Sequence, residues 1–311
     1  MAQQKTIFEF HRHVLELDPA FDNQGESLSL PTRSKIASVG LLVPPCSIRV
    51  FNADVVLDLQ HELVGLVLDG QLGLAPVKSP KHALDVATGT GIWAIQYAEQ
   101  NPTCNVVGTD LSSIQRKASV PNCSFVQQDV EHGDWGFSQK FDYIHLRFVL
   151  SCFDDTKTVI RKAFDNLAPG GYIEFHDVAT ETVDPDGTVK GTGFERWLGL
   201  AKAGAQKLGR DLTKPLRYKD WCREVGFVDV REEVFPLPCG PWAKDPKMKK
   251  IGLYWRHNQL ALIGAMNKFL ELADVSRAEI RELEEQVRKD VQDPSIHFGT
   301  VFRVVYGRKP E

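Results

Sequence analysis

The chain has 311 residues, of which 42% are hydrophobic and 25% charged, the size and composition of a globular protein with one large α/β domain and an extension. Its net charge of −4 and its short basic clusters, such as Lys247, Lys249 and Lys250, argue against nucleic acid as the main partner, because duplex binders carry a basic patch or stripe. No apolar run approaches the ~20 residues of a membrane span, and the start MAQQKTIFEFHRH lacks the apolar stretch of a secretory signal. No membrane association is expected, and the expected location is cytoplasmic, with the nucleus as alternative.

Residues 1–52 are expected to form a partly ordered N-terminal extension, because Pro31, Pro44 and Pro45 interrupt any long helix. His11 and His13 flank Arg12 without further ligands nearby and are expected to be solvated. The six cysteines (Cys46, Cys104, Cys123, Cys152, Cys222, Cys239) show no C-x-x-C spacing and are expected to be reduced and mostly buried. A helix is predicted over 53–70, where Val56, Leu57, Leu59, Leu63, Val64, Leu66 and Val67 recur near the 3.6-residue period, with Gly70 at its stop. Strands and helices then alternate: strand 83–87, helix 92–99, strands 105–109, 124–127 and 141–146, helix 156–167, the turn Ala168-Pro169-Gly170-Gly171, and strand 172–176. That rhythm means a parallel sheet with right-handed crossovers. Beyond residue 177 it breaks into helices 194–208 and 216–225, a strand 227–237, helices 247–272 and 276–291, and a last strand 298–306. Ser276 and Glu279 form a capping box at the start of the second of those later helices. The expected organisation is one domain over 53–311, with a cofactor half over 82–177 and a substrate or cap half over 178–311.

The strongest local signal is Leu84-Asp85-Val86-Ala87-Thr88-Gly89-Thr90-Gly91, between a strand and a helix. A nucleotide-like ligand needs a tight turn there, and glycine allows close backbone approach. The second strand ends in Asp110, one βαβ unit further on, where a carboxylate can accept hydrogen bonds from both ribose hydroxyls. The dinucleotide fingerprint is G-x-G-x-x-G, with room for a pyrophosphate at the helix N-terminus. Here the order is D-x-A-x-G-x-G. An acid before the turn repels a pyrophosphate but suits a ligand with an amino group and a sulfonium, which favours S-adenosylmethionine (SAM) over NAD. The third strand runs into Gln128-Asp129-Val130-Glu131, where a carboxylate can accept from an adenine amino group. Trp93 and Trp135 either flank that adenine or pack in the core. The residues expected at the cofactor are Asp85, Ala87, Thr88, Gly89, Gly91, Asp110, Leu111, Asp129 and Val130.

These stretches, with Ala168-Pro169-Gly170-Gly171-Tyr172, look like the successive motifs of class I methyltransferases. More closely, Thr88 to Ile95, Gly108-Thr109-Asp110-Leu111-Ser112 with Ile114-Gln115, and Leu167 to Glu174 resemble the LaeA-like family of fungal methyltransferases. Leu208-Gly209-Arg210-Asp211, Gly240-Pro241-Trp242 with Lys244-Asp245, and Val305-Tyr306-Gly307-Arg308-Lys309-Pro310 extend the resemblance from about residue 57 to the end. It implies a Rossmann-like α/β fold of seven strands, mostly parallel with the last antiparallel, helical cap insertions, SAM as cofactor, and a link to fungal secondary metabolism. Two departures stand out. Ala87 replaces the first glycine of the family's turn, and cofactor binding is expected to survive if φ there is negative. Ser47 to Asp54 replaces an acidic segment with aromatic and proline landmarks that helps close the cofactor site.

In an open α/β sheet the acceptor lies beyond the carboxyl ends of the strands. Those ends carry His145 and Arg147, then His176 and Asp177. His176 is the first candidate for a general base and His145 the second, against a packing or hydrogen-bonding role for each; a base is needed only if the nucleophile must lose a proton early. No metal is expected, since metal-assisted transfer needs hard oxygen ligands at these ends and the fourth strand runs into His-Leu-Arg-Phe. Phe194, Trp197, Trp221, Trp242, Tyr254 and Trp255 in the later helices either face an apolar or aromatic acceptor or form a second core layer. The expected function is methyl transfer from SAM to a small molecule. The alternatives are a LaeA-like regulator acting through protein partners and a SAM-binding protein without transfer.

Overall fold

The computed structural model describes residues 53–311. The expectations for residues 1–52, including His11, His13, Cys46 and the replaced segment before Ala53, lie outside the described residues. Seven strands form one sheet in the order β3-β2-β1-β4-β5-β7-β6. They are β1 (His82–Val86), β2 (Asn105–Asp110), β3 (Cys123–Gln127), β4 (Phe141–Arg147), β5 (Leu167–Val178), β6 (Val228–Pro238) and β7 (Gly299–Arg308). The first five run parallel, and β7 is antiparallel to both its neighbours, as the family resemblance implies.

Eight α-helices accompany the described sheet: α1 (Ala53–Val67), α2 (Ile92–Gln100), α3 (Thr156–Asn166), α4 (Gly193–Lys207), α5 (Tyr218–Val225), α6 (Pro246–Leu262), α7 (Asn267–Leu272) and α8 (Arg277–Gln292). Several starts are set by side chains that satisfy orphan N–H groups. Asp155 accepts from Thr158 N, Thr192 from Glu195 N, and Asp245 from Met248 N ahead of Pro246. The Ser276–Glu279 capping box closes both ways.

Two elements differ from the reading of the sequence. The helix predicted over 247–272 is broken: α6 ends at Leu262, a 3-10 turn spans Gly264–Met266, and α7 follows. The break falls at Gly264, a poor helix former. The fifth strand starts at Leu167 rather than Tyr172. Phe141 pairs with Leu167, the register shifts, and Gly170 N and Gly171 O bond to Lys309 O and N. The turn is thereby stitched into the sheet by the end of the chain, a long-range contact that local pattern does not reveal.

The two faces of the sheet are unlike. On one, Leu84, Val86, Ile144, Leu146, Ile173 and Phe175 pack against α3 and α5 through Val159, Ile160, Ala163, Tyr218 and Cys222. On the other, the alternate residues of the same strands include Asp85, His145, Glu174 and His176, all buried. Here α2 brings Trp93 and Tyr97 against Tyr143 and Ala83. The later helices and α1 form a second apolar layer around Phe194, Trp197, Trp255, Phe269, Phe298 and Phe302. Four of the five described cysteines are buried free thiols, and Cys152 is exposed. No described helix is long and apolar enough to cross a membrane.

The contact of α4 with α7 depends on Gly204, where a Cβ would overlap the Phe269 carbonyl oxygen, whereas one at Gly199 on the exposed side of α4 meets nothing within 4 Å. Gly199→Ala should stabilise the fold by ~0.5–1 kcal/mol through helix propensity. Gly204→Ala should destabilise it by ~1–3 kcal/mol through overpacking. Urea denaturation of the two variants checks the opposite signs.

Candidate active site

The chain leaves β1 in a left-handed turn. Ala87, Gly89 and Gly91 have φ of 55°, 58° and 78°. The condition set for Ala87, a negative φ, is therefore not met: alanine adopts the conformation a glycine would, at a strain of ~1–2 kcal/mol. The turn is pinned by Thr88 N donating to Thr109 O at 2.8 Å, and by Thr88 Oγ1 donating to Asp85 Oδ2 at 2.5 Å. A Cβ at Gly91 would collide with the Phe125 ring, and one at Gly89 would lie 2.9 Å from Leu57 Cδ1. The turn thus lies close to β3 on one side and is roofed by the N-terminal end of α1 on the other.

Asp110 closes the opposite side. Its Oδ2 accepts from Gly89 N at 2.9 Å, and its Oδ1 accepts from the backbone and hydroxyl of Ser112 at 3.0 and 2.9 Å. The structure therefore brings Ala87, Thr88, Gly89, Gly91 and Asp110 into one assembly. Leu111 beside it is 51% exposed. Asp129 stands apart, with its carboxylate turned onto its own loop to accept from Glu131 N and His132 N at 3.0 Å each. Those bonds hold it below the usual carboxylate range. Val130 is buried, and its carbonyl accepts from Trp135 Nε1 at 2.8 Å. Both tryptophans belong to the core, for Trp93 stacks on His145 with ring centroids 3.7 Å apart.

Asp85 sits beneath the turn, 3% exposed, at the head of a buried polar line. Its Oδ1 lies 2.8 Å from His145 Nδ1, His145 Nε2 lies 3.4 Å from His176 Nδ1, and His176 Nε2 lies 2.7 Å from Glu174 Oε1. Glu174 also accepts from Leu74 N, Ala75 N and the Tyr143 hydroxyl. Three hydrogen bonds along the line require three protons, and two neutral imidazoles supply only two. Burial pushes Asp85 up to about 7 and His145 well below the usual imidazole range, with the charge of Arg147 acting in the same direction. The raised Asp85 carboxyl can carry the third proton at neutral pH. Burial also opposes the charge of Glu174, but the bonds from His176, Leu74 and Ala75 outweigh it and hold that carboxyl below its usual value. The donors then run in one direction, from Asp85 through His145 and His176 to the Glu174 carboxylate.

A family model described as a methyltransferase domain matches residues 59–232. The methyltransferase pytC of Aspergillus terreus is 32% identical over 259 residues, 82% of this chain and 80% of that protein. The chain belongs to this family of SAM-dependent methyltransferases. A secondary metabolism regulator, LAE1 of Cochliobolus heterostrophus, is 29% identical over 82% of this chain and 86% of its own length. A protein-methionine methyltransferase, laeA of Emericella nidulans, is 27% identical over 82% and 69%.

Within the methyltransferase, the residues present fit the cofactor. The turn is left-handed at Ala87, Gly89 and Gly91, which brings backbone rather than long side chains to its surface, and two carboxylates stand at and beneath it. The candidate bases are placed differently from the expectation. His145 and His176 are 0% exposed, and both ring nitrogens of each are engaged along the polar line, so neither offers a free lone pair in this arrangement. Three residues outside the expected set complete the site. Glu174 anchors the line. Arg147 Nη2 donates to His61 Nδ1 at 3.1 Å, and His61 Nε2 meets Gln96 Oε1 at 2.5 Å. The period-2 pattern Tyr143-x-His145-x-Arg147 beside Glu174-x-His176 was the available signal, since a polar row on a buried strand demands mutual partners.

Asp85→Asn preserves donation to His145 Nδ1 and acceptance from Thr88 but cannot ionise. A carboxyl whose pKa is raised by folding contributes stability that is full below its unfolded value near 3.8 and is lost as pH rises through about 7. The stability difference between wild type and Asp85→Asn should therefore move in favour of the variant from about pH 4 to about pH 7 and level off above it. Chemical denaturation across that range checks the slope.

Proposed function

We propose that this methyltransferase acts on a flat, largely apolar small molecule in fungal secondary metabolism. The observation that carries the reading is a pocket beyond the ends of β4 and β5. Its walls include Leu150, Val178, Phe194, Trp197, Trp255 and Phe298. Trp197, one of these wall residues, has its Nε1 buried without a hydrogen-bond partner among the described residues, a donor in a wall that is mostly apolar but also carries Thr180, Glu181 and Gln259. The pocket measures about 50 Å³, well below the ~300 Å³ or more of a typical ligand site, so in this reading it marks the apolar end of the acceptor site rather than the whole of it. Trp221 and Trp242 lie elsewhere, in core clusters of their own. The similarity to the methyltransferase pytC supports transfer itself, and the likeness to the regulator LAE1 and the protein-methionine methyltransferase laeA keeps a regulatory role or a protein acceptor as the second reading.

Bound SAM supplies an electrophilic methyl on a sulfonium. The chain's own contribution is to hold and align. The left-handed turn lets backbone approach the cofactor, and Asp110, now accepting from Gly89 N, has the chemistry to accept from ribose hydroxyls. The polar line from Asp85 to Glu174 fixes the ends of β1, β4 and β5 around the reacting groups. Alignment alone can contribute ~7–11 kcal/mol to such a displacement. In this reading His145 and His176 are positioning residues.

Calorimetry with SAM tests the cofactor role of Asp110. Asp110→Ala should weaken binding by about ten- to a hundredfold, as expected for losing bonds to a charged group, with a modest fall in melting temperature from the lost bonds to Gly89 N and Ser112. Binding equal to wild type would count against it. Deletion of the gene with metabolite profiling separates the two acceptor readings. Loss of one methyl from one compound is expected, and silencing of many pathways would instead establish the regulator.

A further inference from the structure

One cation beside the cofactor turn forms no ion pair among the described residues. Arg147 follows Leu146, whose register partner is Val86, so it leaves the sheet next to the turn that begins at Ala87. It is half-buried, and burial lowers its pKa to about 10 against the pull of Asp85 and Asp58, which leaves it charged at neutral pH. Among the described residues it forms no ion pair, and its hydrogen bond goes to a neutral imidazole. Withdrawing a charge from water without a counter-charge is costly, and such groups are retained where a ligand completes them.

The surroundings say which ligand. A cavity of about 240 Å³ opens between α1, α2 and the end of β4, lined by Arg147 with His61, Gln71, Leu72 and Gln96. Glu62 at its rim is exposed and makes no ion pair with Arg147. Burial first, and then the charge of Arg147, holds His61 down to about 3. It stays neutral across physiological pH, with Nε2–H directed at Gln96 and the Nδ1 lone pair at Arg147. His61 thus orients the guanidinium without competing for an anion. The site as a whole offers acids at the turn and one planar fork of donors beside it. A methionine moiety carries cationic groups and one carboxylate, and a guanidinium takes a carboxylate in two parallel hydrogen bonds.

We propose that Arg147, oriented by His61, binds the methionine carboxylate of SAM. This rests on the cofactor assignment and adds to it the group that distinguishes SAM from its decarboxylated analogue. The test is equilibrium binding of SAM and of decarboxylated SAM to the full chain, by calorimetry. Wild type should prefer SAM by about 30-fold or more, the range for a desolvated charge pair. Arg147→Met should lose most of its affinity for SAM, bind decarboxylated SAM within about threefold of wild type, and so lose the preference. Arg147→Lys should retain part of it, and His61→Phe should reduce the preference without abolishing it. Retained binding of decarboxylated SAM shows that each variant is folded. The inference is overturned if Arg147→Met keeps the wild-type preference, or if wild type itself binds the two ligands equally. Should Arg147→Met fail to fold, a wild-type preference that is unchanged in Arg147→Lys has the same force, and one that is reduced in Arg147→Lys supports the inference. Wild type that binds neither ligand would refute the cofactor assignment itself, a result separate from the loss of preference alone.

Discussion

The row of polar side chains laid across β1, β4 and β5 imposes a strict demand on the sheet beneath the site. Register places Asp85, His145 and Glu174 side by side, with Arg147 and His176 in the next row. All but Arg147 are fully withdrawn from water, so each must find its partner within the row or pay the full desolvation cost. The geometry meets that demand with one shared proton, two imidazoles and one carboxylate whose remaining lone pairs are taken by Leu74 N, Ala75 N and the Tyr143 hydroxyl. Sliding one strand by a residue would exchange this row for the apolar one on the other face. The polar line therefore fixes register as well as satisfying itself. Its head, Asp85, carries that order into the cofactor turn through Thr88.

The roof over the turn is built from distant parts of the chain. Leu57 of α1 lies against Gly89, and Asp58 meets Arg116 at 2.7 Å across the loop after β2. Gln60 Nε2 donates to Asn258 Oδ1 at 2.8 Å, which ties α1 to α6. Asp177 at the end of β5 takes a bond from the Tyr218 hydroxyl at 3.0 Å and is pushed up to about 7 by burial, joining α5 to the strand ends. The helix α6, which lines the pocket proposed for the acceptor, is thus linked to the helix that covers the cofactor turn.

Much of the site was legible in the chain because its signals are local. The strand–turn–helix from Leu84 to Ile92 must be tight, its glycines must sit left-handed, and an acid at the next strand end falls one βαβ unit later; spacing alone carries all three. The φ of Ala87 was not legible, because a lone alanine gives no sign of it; the neighbouring glycines and the Asp85–Thr88 bond impose it. Asp129 was placed at the cofactor by its strand-end position, yet its loop has nearer N–H donors, and short-range bonds take the carboxylate. The histidines were identified, but whether they face a cleft or each other depends on which strands are neighbours.

The sequence by itself determined the element series, the parallel core, the cofactor turn and the class of ligand, because these follow from period, glycine conformation and spacing along one stretch of backbone. Only the tertiary structure decided what the buried charges do. It paired His145 with His176, ended their line on Glu174, bent the predicted 247–272 helix at Gly264, and left Arg147 facing a cavity with His61 for company. Those outcomes depend on contacts between residues as far apart as 86 positions, such as His61 and Arg147. Their energies come from desolvation, which the fold assigns and the linear pattern does not.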